Sequence, residues 1–257
     1  MTSAQAGGTY IYAVLAAVRD VGELGPIGIE GGEVYCVGVG DVAAAVSRVN
    51  RARLRPERKH LLSHHAVLQR LMERGTVLPA AFGLVARSDE AVRDGLREHR
   101  ERLRQQLAHV DGKVEMGLKL HWNAPEIFEY FVATHPELGA VRASLLGRRD
   151  VGRDEMISVG KLFEMLRDAD REAHAATVTA ALNKCGVEVK AAAPHGDREV
   201  MSLSCLVPRE GLPAFHQAVE ALAAVFDDNF TFELTGPRAP HNFVSLKLQP
   251  ATLAGGG

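Results

Sequence analysis

His60 and His64 stand four apart, a spacing that places two imidazoles on one helix face where they could hold a metal. Helical metal motifs also need an acidic residue at fixed spacing and a third ligand, whereas Leu61, Leu62 and Ser63 fill the gap here. His64 falls three after Leu61 and four before Leu68, so it is expected beside an apolar stripe as a packed, hydrogen-bonded histidine. His99 stands the same way between Leu96 and Leu103. Gly38-Val39-Gly40-Asp41-Val42-Ala43 has the GxGxxA outline of a dinucleotide fingerprint, but no convincing amphipathic helix follows it. A tight turn between strands accounts for those glycines at least as well. The chain has no GxSxG elbow, no SxxK and no Walker glycine-lysine loop. Cys205 alternates with Leu203 and Val207 and reads as a buried thiol. Asp168 and Asp170 are two apart on a helix and do not face each other, and Asp227-Asp228 reads as turn chemistry. These residues predict a non-enzyme, with no catalytic, cofactor or metal site.

Composition narrows the class. The 257 residues are 46% hydrophobic but only 5% aromatic, with a mean hydropathy of -0.05, which suits a soluble, helix-rich protein of one large domain or two small ones. Thirty Lys and Arg against 32 Asp and Glu leave a net charge of -2, no pull toward nucleic acid or an anionic membrane. Three cysteines at unrelated spacings make neither a disulfide framework nor a zinc ribbon. Residues 1–8 lack the pattern of a secretion signal, and no apolar run approaches the ~20 residues that span a bilayer, so cytoplasmic residence is expected.

The elements that must position these residues follow from periodicity. Tyr10–Val14 and Val34–Val37 read as strands, and Asp41–Val49, whose alanines suit a helix and valines a strand, is taken as a strand paired across Gly40-Asp41. A helix is expected from Pro56 to Gly75 with a stripe of Leu61, Leu68, Leu71 and Met72. A second helix starts at Ser88 and buries Val92, Leu96, Leu103, Leu107 and Val110, leaving Arg93, Arg97, Arg100 and Arg104 interleaved with acids in solvent. The strand Lys113–Trp122 alternates strictly, Val114, Met116, Leu118, Leu120 and Trp122 inward, Lys113, Glu115, Lys119 and His121 outward. Asn123-Ala124-Pro125 is the expected boundary between domains 1–124 and 125–257. A long helix over Arg153–Lys184, with Met156 on its inner side, precedes strands at Val187–Ala191 and Val200–Val207. A helix from Pro213 and strands at Phe230–Leu234 and Phe243–Leu248 complete the chain, and the tail 251–257 is expected to be disordered. Helices and antiparallel sheets without regular βαβ alternation give an α+β class, most simply two ferredoxin-like sandwiches.

Several segments together resemble the gas vesicle GvpF/GvpL family. Tyr10-Ile11-Tyr12-Ala13-Val14 is similar to its opening strand, and His64-His65-Ala66-Val67-Leu68 to its helical H-x-x-V segment. Thr76-Val77-Leu78-Pro79-Ala80-Ala81-Phe82-Gly83 resembles its VLP-x-x-FG signature, Gly112-Lys113-Val114-Glu115-Met116-Gly117-Leu118-Lys119 its GKVEMGLK strand, and Leu234-Thr235-Gly236-Pro237 its closing TGP motif. Where the family commonly continues with Trp-Pro-Pro-Tyr, an exposed turn by this reading, Arg238-Ala239-Pro240-His241 stands here. The resemblance implies an N-terminal ferredoxin-like and a C-terminal α+β domain. It also implies an assembly component of the gas vesicle that binds the small hydrophobic shell protein GvpA and other accessory Gvp proteins, with localisation at the vesicle and in the cytoplasm. The residues so marked as motif or partner-contact candidates are His64, Leu78, Pro79, Phe82, Gly83, Lys113, Glu115, Lys119, Gly236 and Pro237.

Two rival readings come from other classes. A tandem ferredoxin-like regulatory module could hold a small metabolite on backbone donors of Gly25–Gly32. An enzyme on the same fold would place a metal on Asp227 or Asp228.

Overall fold

The computed structural model describes residues 7–16, 24–50, 53–148, 150–246 and 248. They form two compact units, one of the described residues up to Glu115 and from Pro237 onward, the other of Met116–Gly236. Each unit packs helices on an antiparallel sheet, an α+β architecture.

The first unit opens with strand β1 (Gly8–Ala16), buried over nearly its whole length. A tight turn at Gly40-Asp41, with Gly40 at φ +60, joins β2 (Tyr35–Val39) to β3 (Val42–Val49), so the GxGxxA outline is a hairpin and not a nucleotide loop. β3 pairs β1, with a register shift between Ile11 and Ala13 that leaves Tyr12 as a bulge. Helix α1 (Arg58–Arg74) starts two residues after Pro56, because Glu57 holds an extended backbone as N-cap. Its inner face is His60, His64, Val67, Leu68, Leu71 and Met72. Leu61, expected in that stripe, is 43% exposed; the histidines occupy the face a Leu61-centred stripe would have taken. Short strands β4 (Leu78–Pro79) and β5 (Val85–Ala86) both pair β1. Helix α2 (Asp89–His109) is capped as expected, the Ala91 N–H donating to Ser88 Oγ at 3.2 Å. The expected arginines carry exposed ion pairs along it, among them Arg97 with Asp94 and Arg100 with Asp41.

The sheet order β2-β3-β1-β4 is that of a βαββαβ ferredoxin-like sandwich, with β5 added beside β1. The first crossover departs from that pattern. Between β1 and β2 the described residues hold only the 3-10 turn Ile29–Gly31 where an α-helix would stand.

In the second unit, β6 (Lys113–Trp122) is followed by α3 (Ile127–Thr134) and α4 (Pro136–Leu145), two helices the sequence reading passed over. Their apolar residues form short all-round runs and Pro136 interrupts them, so neither shows a long amphipathic stripe. Then come α5 (Arg153–Asn183), β7 (Glu188–Ala192), β8 (Glu199–Pro208), α6 (Leu212–Ala223) and β9 (Phe230–Arg238). The order β7-β8-β6-β9 again has ferredoxin-like form. Its core gathers Leu118, Leu120, Trp122, Phe131, Leu166, Val178, Cys205 and Phe215. Met156, expected on the inner side of α5, is exposed. The division between units falls within β6 and β9, whereas Asn123-Ala124-Pro125 is tied into the second unit: Asn123 N–H donates to Asn229 O at 2.7 Å. The described residues of Phe243–Leu248 are irregular, not the expected last strand. The tail 251–257 lies outside the described residues.

Candidate functional site

The bulge in β1 and the inner face of α1 bring Tyr10, Tyr12 and His64 together. Tyr10 and Tyr12 rings lie 4.8 Å apart, His64 stacks on Tyr12 at 5.7 Å, and Phe82 meets both Tyr10 and His64 edge-on or tilted. The Tyr10 hydroxyl oxygen accepts the Gly83 N–H at 3.2 Å and lies 2.9 Å from His64 Nδ1. With the phenol donating to Nδ1, the imidazole hydrogen sits on Nε2, which is buried. Burial drives the His64 pKa down to about 4, His241 and His65 add repulsion, and the nearby Ala80 backbone opposes the drop. His64 is therefore a neutral packed group at pH 7. Desolvation likewise raises the Tyr10 pKa, so neither phenol nor imidazole is poised to exchange protons near neutrality.

Five of the motif residues gather here. Leu78 and Pro79 pair with Val14 and Ala13, Phe82 closes the aromatic cluster, and Gly83 takes φ +91 to turn its N–H toward Tyr10. His60 lies on the same face of α1, its Nδ1 3.2 Å from Arg55 O and its Nε2 3.8 Å from Glu30. The two histidines thus find separate partners. No cluster of three or more His, Cys, Asp or Glu placed to hold a metal occurs among the described residues.

The glycine loop beside this cluster uses its own donors. Gly28 N–H donates to Gly32 O, Gly31 N–H to Gly28 O, Gly32 N–H to Ile29 O, and Ile29 N–H to the Tyr12 hydroxyl at 2.8 Å. The Tyr12 hydroxyl also lies 2.8 Å from Ser47 Oγ. The N–H groups of Gly28, Gly31 and Gly32 are thus used within the loop, and that of Ile29 ties it to β1. A separate recess of about 280 Å³, lined by Leu15, Leu71, Val77 and Leu107, has Asp111 at its rim, already bonded by Thr76. It offers few convergent polar groups.

Glu115 is the largest departure from the sequence pattern. Alternation places it outward on β6, yet it is 0% exposed. One carboxylate oxygen accepts from Arg238 Nε at 3.0 Å, from Arg238 Nη2 at 2.8 Å and from Asn242 Nδ2 at 2.7 Å. The other accepts the Asn242 N–H at 2.8 Å. A buried carboxylate is tolerable only when so completely bonded. The residues replacing the family's Trp-Pro-Pro-Tyr are thus not an exposed turn throughout. Ala239 and Pro240 are buried, and Arg238 supplies the charge partner.

The remaining candidates do not join either group. Lys113 Nζ donates to His109 O at 2.8 Å, and Gly236 (φ +115) and Pro237 are exposed in β9. Lys119 Nζ meets the buried Glu199 carboxylate at 3.2 Å in the second unit. Asp227 is a turn residue, accepting from the Asn229 N–H, and Asp170 faces His135. The sequence reading missed Tyr10 and Tyr12 as hub residues, and Arg238 and Asn242 as anchors of Glu115. A tyrosine pair two apart on the first strand was the available signal for the hub.

The family described as gas vesicle synthesis protein GvpL/GvpF matches residues 8–245, a span that contains both groups and every motif residue. The chain belongs to the GvpL/GvpF family. Gas vesicle protein F of Dolichospermum flosaquae is 25% identical over 222 residues, covering 85% of this chain and 90% of that protein. Gas vesicle protein F of Haloferax mediterranei is 27% identical, covering 93% and 94%. Gas vesicle protein L of a Streptomyces species is 26% identical, covering 92% of each. Crystal structures of GvpF from an Anabaena species and from Microcystis aeruginosa share the fold, with TM-scores of 0.83 and 0.78. Their identities are 23% and 26%, and they cover 94% and 93% of this chain and 99% of each solved chain. Membership in the GvpL/GvpF family gives this chain a gas vesicle-related role. No helix among its described residues is long and apolar enough to cross a membrane.

Proposed function

We propose that this chain is a non-catalytic assembly factor of the gas vesicle, acting in the cytoplasm and at the vesicle by binding the shell protein GvpA and other accessory Gvp proteins. The observation that carries this reading is the family match over residues 8–245, from the first strand to the segment that bonds Glu115. The geometry favours a scaffold over a reaction centre. The polar groups at the Tyr10–His64 and Glu115–Arg238 clusters bond mainly to one another, and His64 is held neutral. A subunit lining a gas space must be strongly apolar and is an aggregation hazard before it polymerises, a surface that a soluble partner could cover. This chain offers sheet edges at β2 and β7 for strand addition and little net charge to oppose docking. Co-expression of tagged chain with GvpA, followed by pull-down, tests the reading. Recovery of GvpA is expected. Its absence, together with a melting-temperature shift on adding a nucleotide or amino acid, would move the metabolite-binding module ahead.

A further inference from the structure

Strand β7 is an edge of the second unit's sheet, whose order is β7-β8-β6-β9. Its pairing with β8 is unbroken, from Glu188 opposite Leu206 to Ala192 opposite Ser202. An open edge presents a row of backbone N–H and C=O groups, and proteins commonly guard it with a proline, a bulge or an inward-pointing charge. The other edge, β9, carries Pro237. Strand β7 has none of these guards. Its register shows no bulge, and its sequence Glu188-Val189-Lys190-Ala191-Ala192 holds no proline. Val189 lies opposite Cys205 and packs against the core, so Val189, Ala191 and the preceding Val187 form the inward row. Glu188 and Lys190 lie on the outer face, opposite Leu206 and Ser204, and both are exposed.

We infer that β7 pairs with β7 of a second copy of this chain, antiparallel about a two-fold axis at Val189, joining two four-stranded sheets into one. Side-chain chemistry sets the register. Directly opposed residues of an antiparallel pair share a face, so a slip of one residue would set the inward Val189 against an outward charge. Among the registers that keep the faces matched, one centred on Lys190 opposes two lysines, and one centred on Glu188 opposes two glutamates. Centred on Val189, Glu188 of each copy opposes Lys190 of the other. The inward row then matches Val187 with Ala191 and Val189 with its own counterpart. An edge lysine ordinarily discourages pairing. Here the glutamate two positions earlier makes it half of a reciprocal ion pair. So short an edge buries less than the ~1,200 Å² of a stable interface, so the dimer is expected to be weak, forming in the micromolar-to-millimolar range. The inference goes beyond the assembly reading and does not depend on it, and it leaves the β2 edge of each copy open.

Sedimentation velocity over a concentration series tests the pairing. Native protein is expected to shift from monomer toward dimer as concentration rises, and a monomer up to the millimolar range would overturn it. Lys190→Glu gathers only glutamates about the axis and Glu188→Lys only lysines, so each single variant should associate at least about tenfold more weakly. The double variant E188K/K190E restores reciprocal pairs and should dimerise as the native protein does. An equal mixture of the two single variants should form a heterodimer, because every cross-strand pair is then opposite in sign. Association untouched by the single changes, or not recovered by the double one, would refute the β7 interface. Both positions are exposed, and circular dichroism checks that each variant keeps the fold. Carbodiimide treatment of mixed isotopically light and heavy native chains gives a readout free of substitution. A Glu188–Lys190 amide joining a light to a heavy chain is expected, and its absence from the cross-linked dimer would refute the register.

Discussion

Glu115 and Arg238, 123 positions apart, meet through two hydrogen bonds to the same carboxylate oxygen, 3.0 and 2.8 Å long, with the carboxylate fully buried. Removing one partner of such a pair strands the other, which is worse than removing both. Arg238→Ala should therefore cost about 2–3 kcal/mol in urea unfolding, moderated by the partial exposure of the guanidinium. The double variant E115Q/R238A should recover part of that loss, because a neutral amide still accepts the Asn242 N–H. Strict additivity of the two single changes would show that the residues do not act as a pair.

His64 gives the chain a specific acid sensitivity. Its folded pKa of about 4 lies below the ordinary 6.5, so the native state binds fewer protons than the unfolded state between those values. Stability is then fully present above pH 6.5 and falls as pH drops toward 4, by up to roughly 3 kcal/mol from this one group. Comparing urea midpoints at pH 7.5 and 4.5 for native protein and His64→Gln isolates the effect. The variant should lose part of its stability at neutral pH, about 1–3 kcal/mol, and also lose part of the pH slope. The same slope in both proteins would mean that His64 does not titrate as its burial requires.

The strand pattern of β6 and the helix face of α2 could be read directly, because periodicity reports burial wherever a single face meets the core. On α5, by contrast, the buried residues are Leu166, Val178 and Leu182 and not the face that Met156, Ala173 and Ala180 were expected to share. Periodicity also failed where another segment covers the opposite face. Glu115 sits at an outward position of a clean alternation, yet it is buried and bonded by Arg238 and Asn242, more than a hundred residues later. His64 was legible as a packed histidine, but its partner was not: a one-residue bulge at Tyr12 changes the register of β1, and bulges leave no mark in an apolar run. The short helices α3 and α4 were lost for a different reason, having too few turns on either side of Pro136 to show a period.

Lys119 tests the limits of the same alternation. Leu118 is fully buried, so Leu118→Ala should cost roughly 2–5 kcal/mol. An outward lysine would ordinarily be neutral to substitution. Here Lys119 Nζ bonds the buried Glu199, whose other oxygen accepts the His195 N–H at 3.3 Å, so Lys119→Ala should cost about 1–2 kcal/mol. Lys119→Arg should restore most of it. A loss below about 0.5 kcal/mol would show the ion pair to be solvent-screened and without weight.

The functional prediction rests on the same separation of fold from surface. A deletion strain should make no vesicles or malformed ones, seen by electron microscopy, and expression of the native chain should restore them. Arg238→Ala and Leu118→Ala act on stability, so their vesicle yield should follow the amount of folded protein in the cell. Partner contact must instead reside in exposed residues whose loss leaves the urea midpoint alone. Gly236 and Pro237 meet that condition among the motif residues: both are exposed in β9, and neither side chain can donate or accept a hydrogen bond. Pro237→Ala should therefore leave the unfolding midpoint within about 0.5 kcal/mol of native while lowering GvpA recovery and vesicle yield together. Normal vesicles in the deletion strain would dispose of the assembly role altogether. Normal GvpA recovery with Pro237→Ala would leave that role standing and move the contact surface to another part of the chain.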